Sequence, residues 1–200
     1  MSNKVLNNKT IIVASHNDGK ISEFKSLFMK YNVKIRSLSE IGVKEIEETG
    51  KTFKENALIK VKGTPGNFII LSDDSGLCIK ALGNKPGIFS ARFAKECGGW
   101  FEAMKMLYNN LKKKNNSREA TFHCVLALKF NDNHILTFSG SVEGQIVWPP
   151  RGKNGFGYDP FFVPCGSTQT FAEMNHEDKI LIDHRYKAFK KMAKLYLIDS

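Results

Sequence analysis

No apolar run in this chain approaches the roughly 20 residues needed to cross a bilayer. The first ten residues, Met1 to Thr10, are polar and rich in Asn and Lys. They hold neither the apolar stretch of a secretory signal nor the arginine of a transit peptide, so a cytoplasmic protein with no membrane partner is expected. Cysteine is sparse. Cys78, Cys97, Cys124 and Cys165 are widely and irregularly spaced, with no CxxC pair. That pattern argues against a disulfide framework or a Cys/His zinc site and fits reduced thiols. HExxH is absent, the Walker A phosphate loop is absent, and no Ser–His–Asp or Cys–His arrangement can be assembled. Internal repeats, long linkers and low-complexity blocks are also missing.

What remains is a chain of 200 residues, 42% hydrophobic and 25% charged. This suits one globular domain over residues 1–200, with room for two lobes. The net charge of +10 raises the prior for an anionic partner, either nucleic acid or a phosphorylated small molecule. Scattered surface lysine is also plain solvation. The run Lys112-Lys113-Lys114, followed by Asn115-Asn116, reads as an exposed helix end and loop.

Hydrophobic periodicity gives a coarse element map. Thr10 to Ser15 reads as a buried strand, His16 to Gly19 as a turn, and Ile21, Phe24, Leu27 and Phe28 recur at helical spacing. Val33 to Ser37 is a second strand. Thr52 to Lys62 is a helix, with Thr52 and Glu55 at capping-box spacing. Phe68 to Leu71 is a short buried strand that runs into Ser72-Asp73-Asp74-Ser75-Gly76, and Leu77 to Ile79 continues in extended form. An amphipathic helix follows Gly98-Gly99. Thr121 to Phe130 alternates as a long strand and pairs with His134 to Ser141 through a turn at Asn131-Asp132-Asn133. Ser141 to Trp148 is a further strand, Pro149 to Pro164 a loop, and Ile180 to Leu197 the final helix. The fold class is α/β or mixed α+β, with a mixed sheet flanked by helices.

Five segments could carry chemistry. Ser15 to Lys20 lies between a strand and a helix, where free N–H groups, Gly19 and the Lys20 charge suit phosphate. The plainer reading makes Asn17 or Asp18 a helix cap. Glu47-Glu48-Thr49-Gly50 could hold Mg²⁺ through one or two oxygens, or be a solvated acidic loop. In Asp73-Asp74-Ser75-Gly76 successive residues of an extended chain face opposite ways, so one Asp can face a site while the other anchors the backbone. An Asx turn capping the strand is the bland alternative. Gly152 to Pro160 sets Phe156 and Tyr158 among glycines, as a base-stacking loop or a structural Ω-loop. Lys179, His184 and Arg185 supply donors around the last helix.

Each segment is ambiguous by itself, but their order is informative. The blocks Ser-x-Asn-x-x-Lys, Glu-Glu-Thr-Gly-x-Thr-Phe-x-Glu-Asn-Ala, Asp-Asp-Ser-Gly-Leu, Pro-Gly-Ile-Phe-Ser-Ala-Arg-Phe, Phe-Gly-Tyr-Asp-Pro and Asp-His-Arg run from about Ile11 to Met192. Together they resemble the inosine triphosphate pyrophosphatase family, in its bacterial RdgB/Ham1-like branch. The resemblance implies an elongated mixed sheet in two lobes with a central cleft, usually as a homodimer. It implies that Ser15, Asn17 and Lys20 hold the triphosphate, and that Glu47, with Glu48 beside it, is linked to Mg²⁺. Glu55 and Asn56 would line the cleft. Asp74 would be metal ligand and proton acceptor, supported by Asp73, and Ser75 a substrate contact. Phe156, Gly157, Tyr158 and Asp159 match the base-binding loop, and Lys179, His184 and Arg185 the donors that recognise the base. His16, Asp18, Asp183 and Tyr186 depart from residues more usual in the family.

The activity so implied is Mg²⁺-dependent hydrolysis of non-standard purine nucleoside triphosphates (dITP/ITP, XTP/dXTP) to the monophosphate and pyrophosphate. Two rivals stand beside it: a Maf-like pyrophosphatase acting on pyrimidine or modified nucleotides, and a basic nucleic-acid-binding protein without enzymatic activity.

Overall fold

The run Ile11-Ile12-Val13 forms strand β1 (Thr10–Val13), which pairs in parallel with β2 (Lys34–Ser37) on one side and β3 (Ile69–Ile79) on the other. The computed structural model describes residues 5–114, 117–130 and 134–198. The chain divides into two compact units. The first comprises Met1–Asp74, Cys124–Gly140 and Arg185–Ser200, and the second Ser75–His123 and Ser141–His184. The expected mixed sheet flanked by helices is present, and among the described residues no helix is long and apolar enough to cross a membrane. All four cysteines are free thiols.

The first unit is built on β1, β2 and the leading half of β3. Helix α1 (Asp18–Phe28) follows β1, and α2 (Phe53–Gly63) precedes β3. Thr52 caps α2 by accepting the Glu55 N–H at 3.1 Å. Glu55 reaches back one residue further than a capping box requires, to the Lys51 N–H at 2.6 Å. Ala57 and Val61 of α2 pack with Ile12, Ile70 and Ala127. Phe28 of α1 meets Phe189 edge-on at 4.9 Å, which ties α1 to the closing helix α6 (His184–Tyr196).

The second unit gathers the rest of β3, the two-residue strand β4 (Lys85–Pro86), and helices α3 (Ser90–Glu96) and α4 (Trp100–Lys114). It also holds the leading part of β5 (Glu119–Lys129), the trailing part of β6 (Ile135–Ile146), β7 (Phe162–Pro164) and α5 (His176–Ile182). Leu77, Ile79, Met104, Leu107, Phe122, Ile146, Phe161, Phe162 and Phe171 make its core.

Several boundaries differ from the sequence expectation. Asp73 and Asp74 lie inside one eleven-residue strand, not after a short one, because buried ion pairs let the ladder continue through them. This removes the Asx-turn alternative. Where two strands were expected between His134 and Trp148 there is one, β6, over Ile135–Ile146. Its pairing with β5 is as anticipated, with the Phe130 N–H donating to His134 O and the Ile146 N–H to Arg118 O. The turn at Asn131-Asp132-Asn133 and the loop at Asn115-Asn116 lie outside the described residues. The expected loop 149–164 ends early, in a 3₁₀ turn at Asp159–Phe161 followed by β7. Helix α1 begins at Asp18, inside the expected turn. The final helix is two helices, since Asp183 is extended (φ −72°, ψ 168°), the backbone of a residue that starts a new helix. Helix α3 was not foreseen, as seven residues are too few for a periodic signal.

Because Thr52 holds the first turn of the helix that carries Asn56 and Lys60, Thr52→Ala is expected to destabilise the protein by about 1 kcal/mol. Equilibrium urea unfolding measures this.

Candidate active site

Parallel pairing places the segment after β1 beside the middle of β3. Val13 is in register with Leu71, and the Ala14 N–H donates to Leu71 O. The chain then turns into α1, where Asn17 Oδ1 accepts the Lys20 N–H at 3.0 Å and Ser15 Oγ accepts the Asn17 N–H at 3.1 Å. Asn17 is thus the helix cap, as the plainer reading had it. Lys20 projects to Asp73 and forms an ion pair with its Oδ1.

Asp73 is fully buried. Its Oδ2 accepts from Arg185 Nε at 3.1 Å and from the Cys124 thiol at 3.0 Å. Arg185, 2% exposed, is also paired with Glu23 of α1. Burial by itself would raise the Asp73 carboxyl, but Arg185, then Lys20 and Lys60, outweigh it and hold the group well below the usual carboxylate range. For Lys20 the opposition is reversed. Burial would lower it, yet the Asp73 charge leaves it above its ordinary value.

Asp74 faces the other side of the strand, with Ile70 and Ser72. That side meets α2: Ser72 Oγ donates to Ala57 O at 2.7 Å, and Asn56 Nδ2 donates to Asp74 Oδ2 at 3.0 Å. Asn56 is itself held, since its Oδ1 accepts the Gly50 N–H at 2.8 Å. A Cβ on Gly50 would lie 2.7 Å from that same oxygen, so the close approach requires glycine. Lys60, one helical turn beyond Asn56, bonds Glu48 Oε1 and Asp73 O, each at 2.5 Å, and lies 3.9 Å from Asp74 Oδ1. Burial pushes the Asp74 carboxyl up to about 6, with Glu48 adding to the rise and Lys60 opposing it. Adjacent acids on one strand therefore have opposite electrostatic fates. Asp73 is a locked anion, and burial holds the Asp74 carboxyl up at about 6.

In the second unit, Lys179 Nζ and Asp159 Oδ2 form a buried pair at 2.8 Å. The same oxygen accepts the Phe156 N–H at 2.9 Å. Gly155 (φ +72°) lets the loop pass, since a Cβ there would meet Asp159 Oδ2 at 2.1 Å. The Lys179 ammonium lies 5.0 Å from the Phe156 ring centroid. Tyr158 is a core residue: its hydroxyl donates to Ser90 O at 3.2 Å and its ring abuts Trp100. His184 stacks on Phe122 at 4.7 Å.

The geometry joins the ordered sequence blocks into two charged constellations, and comparison with known proteins supports one assignment. The Ham1 family profile matches residues 11–195. The chain belongs to the Ham1 family. It is 42% identical to the dITP/XTP pyrophosphatase of Zymomonas mobilis subsp. mobilis, over 91% of this chain and 89% of that protein. It is 41% identical to the dITP/XTP pyrophosphatase of Bacillus subtilis, over 94% and 96%. Its fold matches the Staphylococcus aureus Ham1 protein (TM-score 0.81, 37% identity, 92% of this chain and 96% of that one). The HAM1 protein of Coxiella burnetii is equally similar (TM-score 0.82, 38% identity, 92% and 96%).

Within this Ham1-family chain, the first unit brings together Lys20, Asn56, Asp73, Asp74, Arg185 and Glu48 from the expected set. Glu47 is exposed, while its neighbour Glu48 shares Lys60 with Asp74. Glu55, expected beside Asn56, serves the start of α2. Ser75 follows Asp74 on β3 and is half-buried. The second unit carries Phe156, Gly157, Asp159, Lys179 and His184. Arg185, expected with the base donors, is instead bonded to Glu23 and Asp73 in the first unit. Sequence reasoning missed Lys60, Glu23 and Cys124. The available signals were helical spacing, Asn56 to Lys60 and Lys20 to Glu23, and Cys124 at an inward position of a strand.

Asp73→Asn removes the carboxylate charge that Lys20 and the Nε side of Arg185 are buried against, so it is expected to destabilise the fold by about 3–5 kcal/mol. Asp74→Asn leaves the Asn56 contact possible and should unfold near the wild-type urea midpoint. Equal losses in the two variants would contradict the division of roles.

Proposed function

We propose that this Ham1-family chain is a Mg²⁺-dependent nucleoside triphosphate pyrophosphatase acting on dITP/ITP and XTP/dXTP. It cleaves between the α and β phosphates to give the monophosphate and pyrophosphate. The observation that carries the reading is the arrangement of the β3 acids, with Asp74 held by Asn56 and near Lys60, next to an Asp73 paired with Lys20 and Arg185. The naming of the Zymomonas mobilis and Bacillus subtilis relatives as dITP/XTP pyrophosphatases supports the substrate class. The proposal extends to residues 1–200 acting as one catalytic domain, in a cytoplasmic homodimer that takes free nucleotides, not nucleic acid.

Mg²⁺ is commonly held by one or two carboxylates together with substrate phosphates and water. The first unit fits such a partner. Glu23, Glu48, Asp73 and Asp74 set four carboxylates against three cations, Lys20, Lys60 and Arg185, and Glu48 and Asp74 share one lysine. Asp74 and Glu48 would hold the ion, with exposed Glu47 next along the loop. When bound, it would neutralise phosphate charge as the anhydride breaks.

The chain's own groups do the rest. Ser15, Asn17 and Lys20, at the N-terminus of α1, are assigned to the triphosphate, with Lys20 supplying the positive charge. Asp74 accepts a proton from the attacking water, and Asn56 fixes the orientation of its carboxylate. Ser75, next on the strand, is assigned a substrate contact. Base recognition is assigned to Lys179 and His184, with Phe156, Gly157 and Asp159 forming the loop. Tyr158 anchors that loop through the core. A 6-oxo purine accepts hydrogen bonds from these donors. Adenine's amino group leaves them unpaired, at about 1–3 kcal/mol each.

Pyrophosphate release from a nucleotide panel tests the reading. dITP and XTP are expected to turn over faster than dGTP, UTP and dTTP, and equal rates would rule out the purine assignment. Asp74→Asn should lower kcat by about 10²-fold or more with the fold retained. Since Asp74 must be ionised to act and burial raises it, kcat/KM of the free enzyme should fall as pH drops through about 6, well above the ordinary aspartate range.

A further inference from the structure

Lys60 and Asn56 leave α2 on the same face, one turn apart. The Lys60 ammonium has three oxygen neighbours: Glu48 Oε1 at 2.5 Å, Asp73 O at 2.5 Å and Asp74 Oδ1 at 3.9 Å. Only 7% of the residue is exposed. Two of those oxygens belong to separate carboxylates, so the ammonium stands where a small hard cation shared by Glu48 and Asp74 would stand. Two positive charges a few ångströms apart at a poorly solvated site repel strongly. A divalent ion could therefore settle between these carboxylates only as the lysine moves away. The four-carbon stem of lysine permits that movement, and a polyphosphate would attract its charge.

We propose that Lys60 is a built-in counter-ion for Glu48 and Asp74 in the nucleotide-free protein, which keeps divalent-metal affinity low until a triphosphate draws the ammonium to itself. The identity of that anion rests on the nucleotide reading above; the competition between lysine and metal does not. By linkage the metal and the triphosphate then raise each other's affinity by the same factor.

Electron paramagnetic resonance of Mn²⁺ titrated into the nucleotide-free, full-length protein reads this directly. Lys60→Met is expected to bind Mn²⁺ about ten-fold or more tightly than wild type. Lys60→Arg, which keeps the charge, should stay near wild type, and Lys20→Met, whose partner is Asp73, should shift less. Equal Mn²⁺ affinity in wild type and Lys60→Met would overturn the proposal. Lys60→Met could lose its fold, so wild-type protein provides a second measurement. The ¹⁵N signal of the Lys60 ammonium and the ¹³C signal of the Asp74 carboxyl are followed through a Mg²⁺ titration. The ammonium signal should lose its protection in step with the carboxyl response. A carboxyl that responds while the ammonium does not, or one that never responds, refutes the idea. Absence of dITP hydrolysis in wild type would instead sink the nucleotide reading, and the Mn²⁺ comparison would still decide the role of Lys60.

Discussion

A fully buried carboxylate in the middle of a strand is the constraint on which the first unit depends. Transferring a lone charged group from water into a protein interior is prohibitive, and the group survives only if it is paired and hydrogen-bonded. Asp73 meets that condition with Lys20 from α1, Arg185 from α6 and the Cys124 thiol from β5. Glu23 in turn satisfies Arg185. The most distant of these partners, Arg185, lies 112 residues from Asp73 in the chain. Asp73 thus ties α1, α6 and β5 to β3.

Once Asp73 is locked, the pleat determines the environment of Asp74. Successive side chains leave a strand on opposite faces, so Asp74 turns away from the cation cluster that holds its neighbour and toward α2. There it finds one neutral donor, Asn56, a second acid, Glu48, and two cations at a distance, Lys60 and the weaker-acting Lys20. Burial without full compensation raises its proton affinity, which is the condition for a base that works near neutral pH. The catalytic reading proposed for this chain thus depends on a residue that would never touch substrate. On that reading, Asp73 creates the conditions under which Asp74 reacts.

The second unit uses the same physics at smaller scale. Asp159 neutralises Lys179 and at the same time ties down the Phe156 amide, so a charged pair and a loop conformation depend on one oxygen. Tyr158 fixes the loop from below through Trp100 and Ser90. Phe156 and Gly157 remain the half-buried members, and they present an aromatic face beside a lysine held in place.

Much of this was legible in the residues. Apolar periodicity located β1, β2, α1, α2 and β5 to within a few residues, because those segments bury one continuous face and local pattern is enough to specify them. The ordered blocks pointed to the family, and alternation along an extended chain implied that Asp73 and Asp74 would have different tasks. Tertiary structure alone decided which acid had which task, since that depends on Arg185 and Lys20 arriving from distant segments. It also decided that Arg185 belongs with Asp73, that Glu48 and not Glu47 shares a lysine with Asp74, and that Lys60 is part of the site at all. A charge is assigned its role by the field of its neighbours, and those neighbours are fixed by packing, which local sequence pattern does not encode.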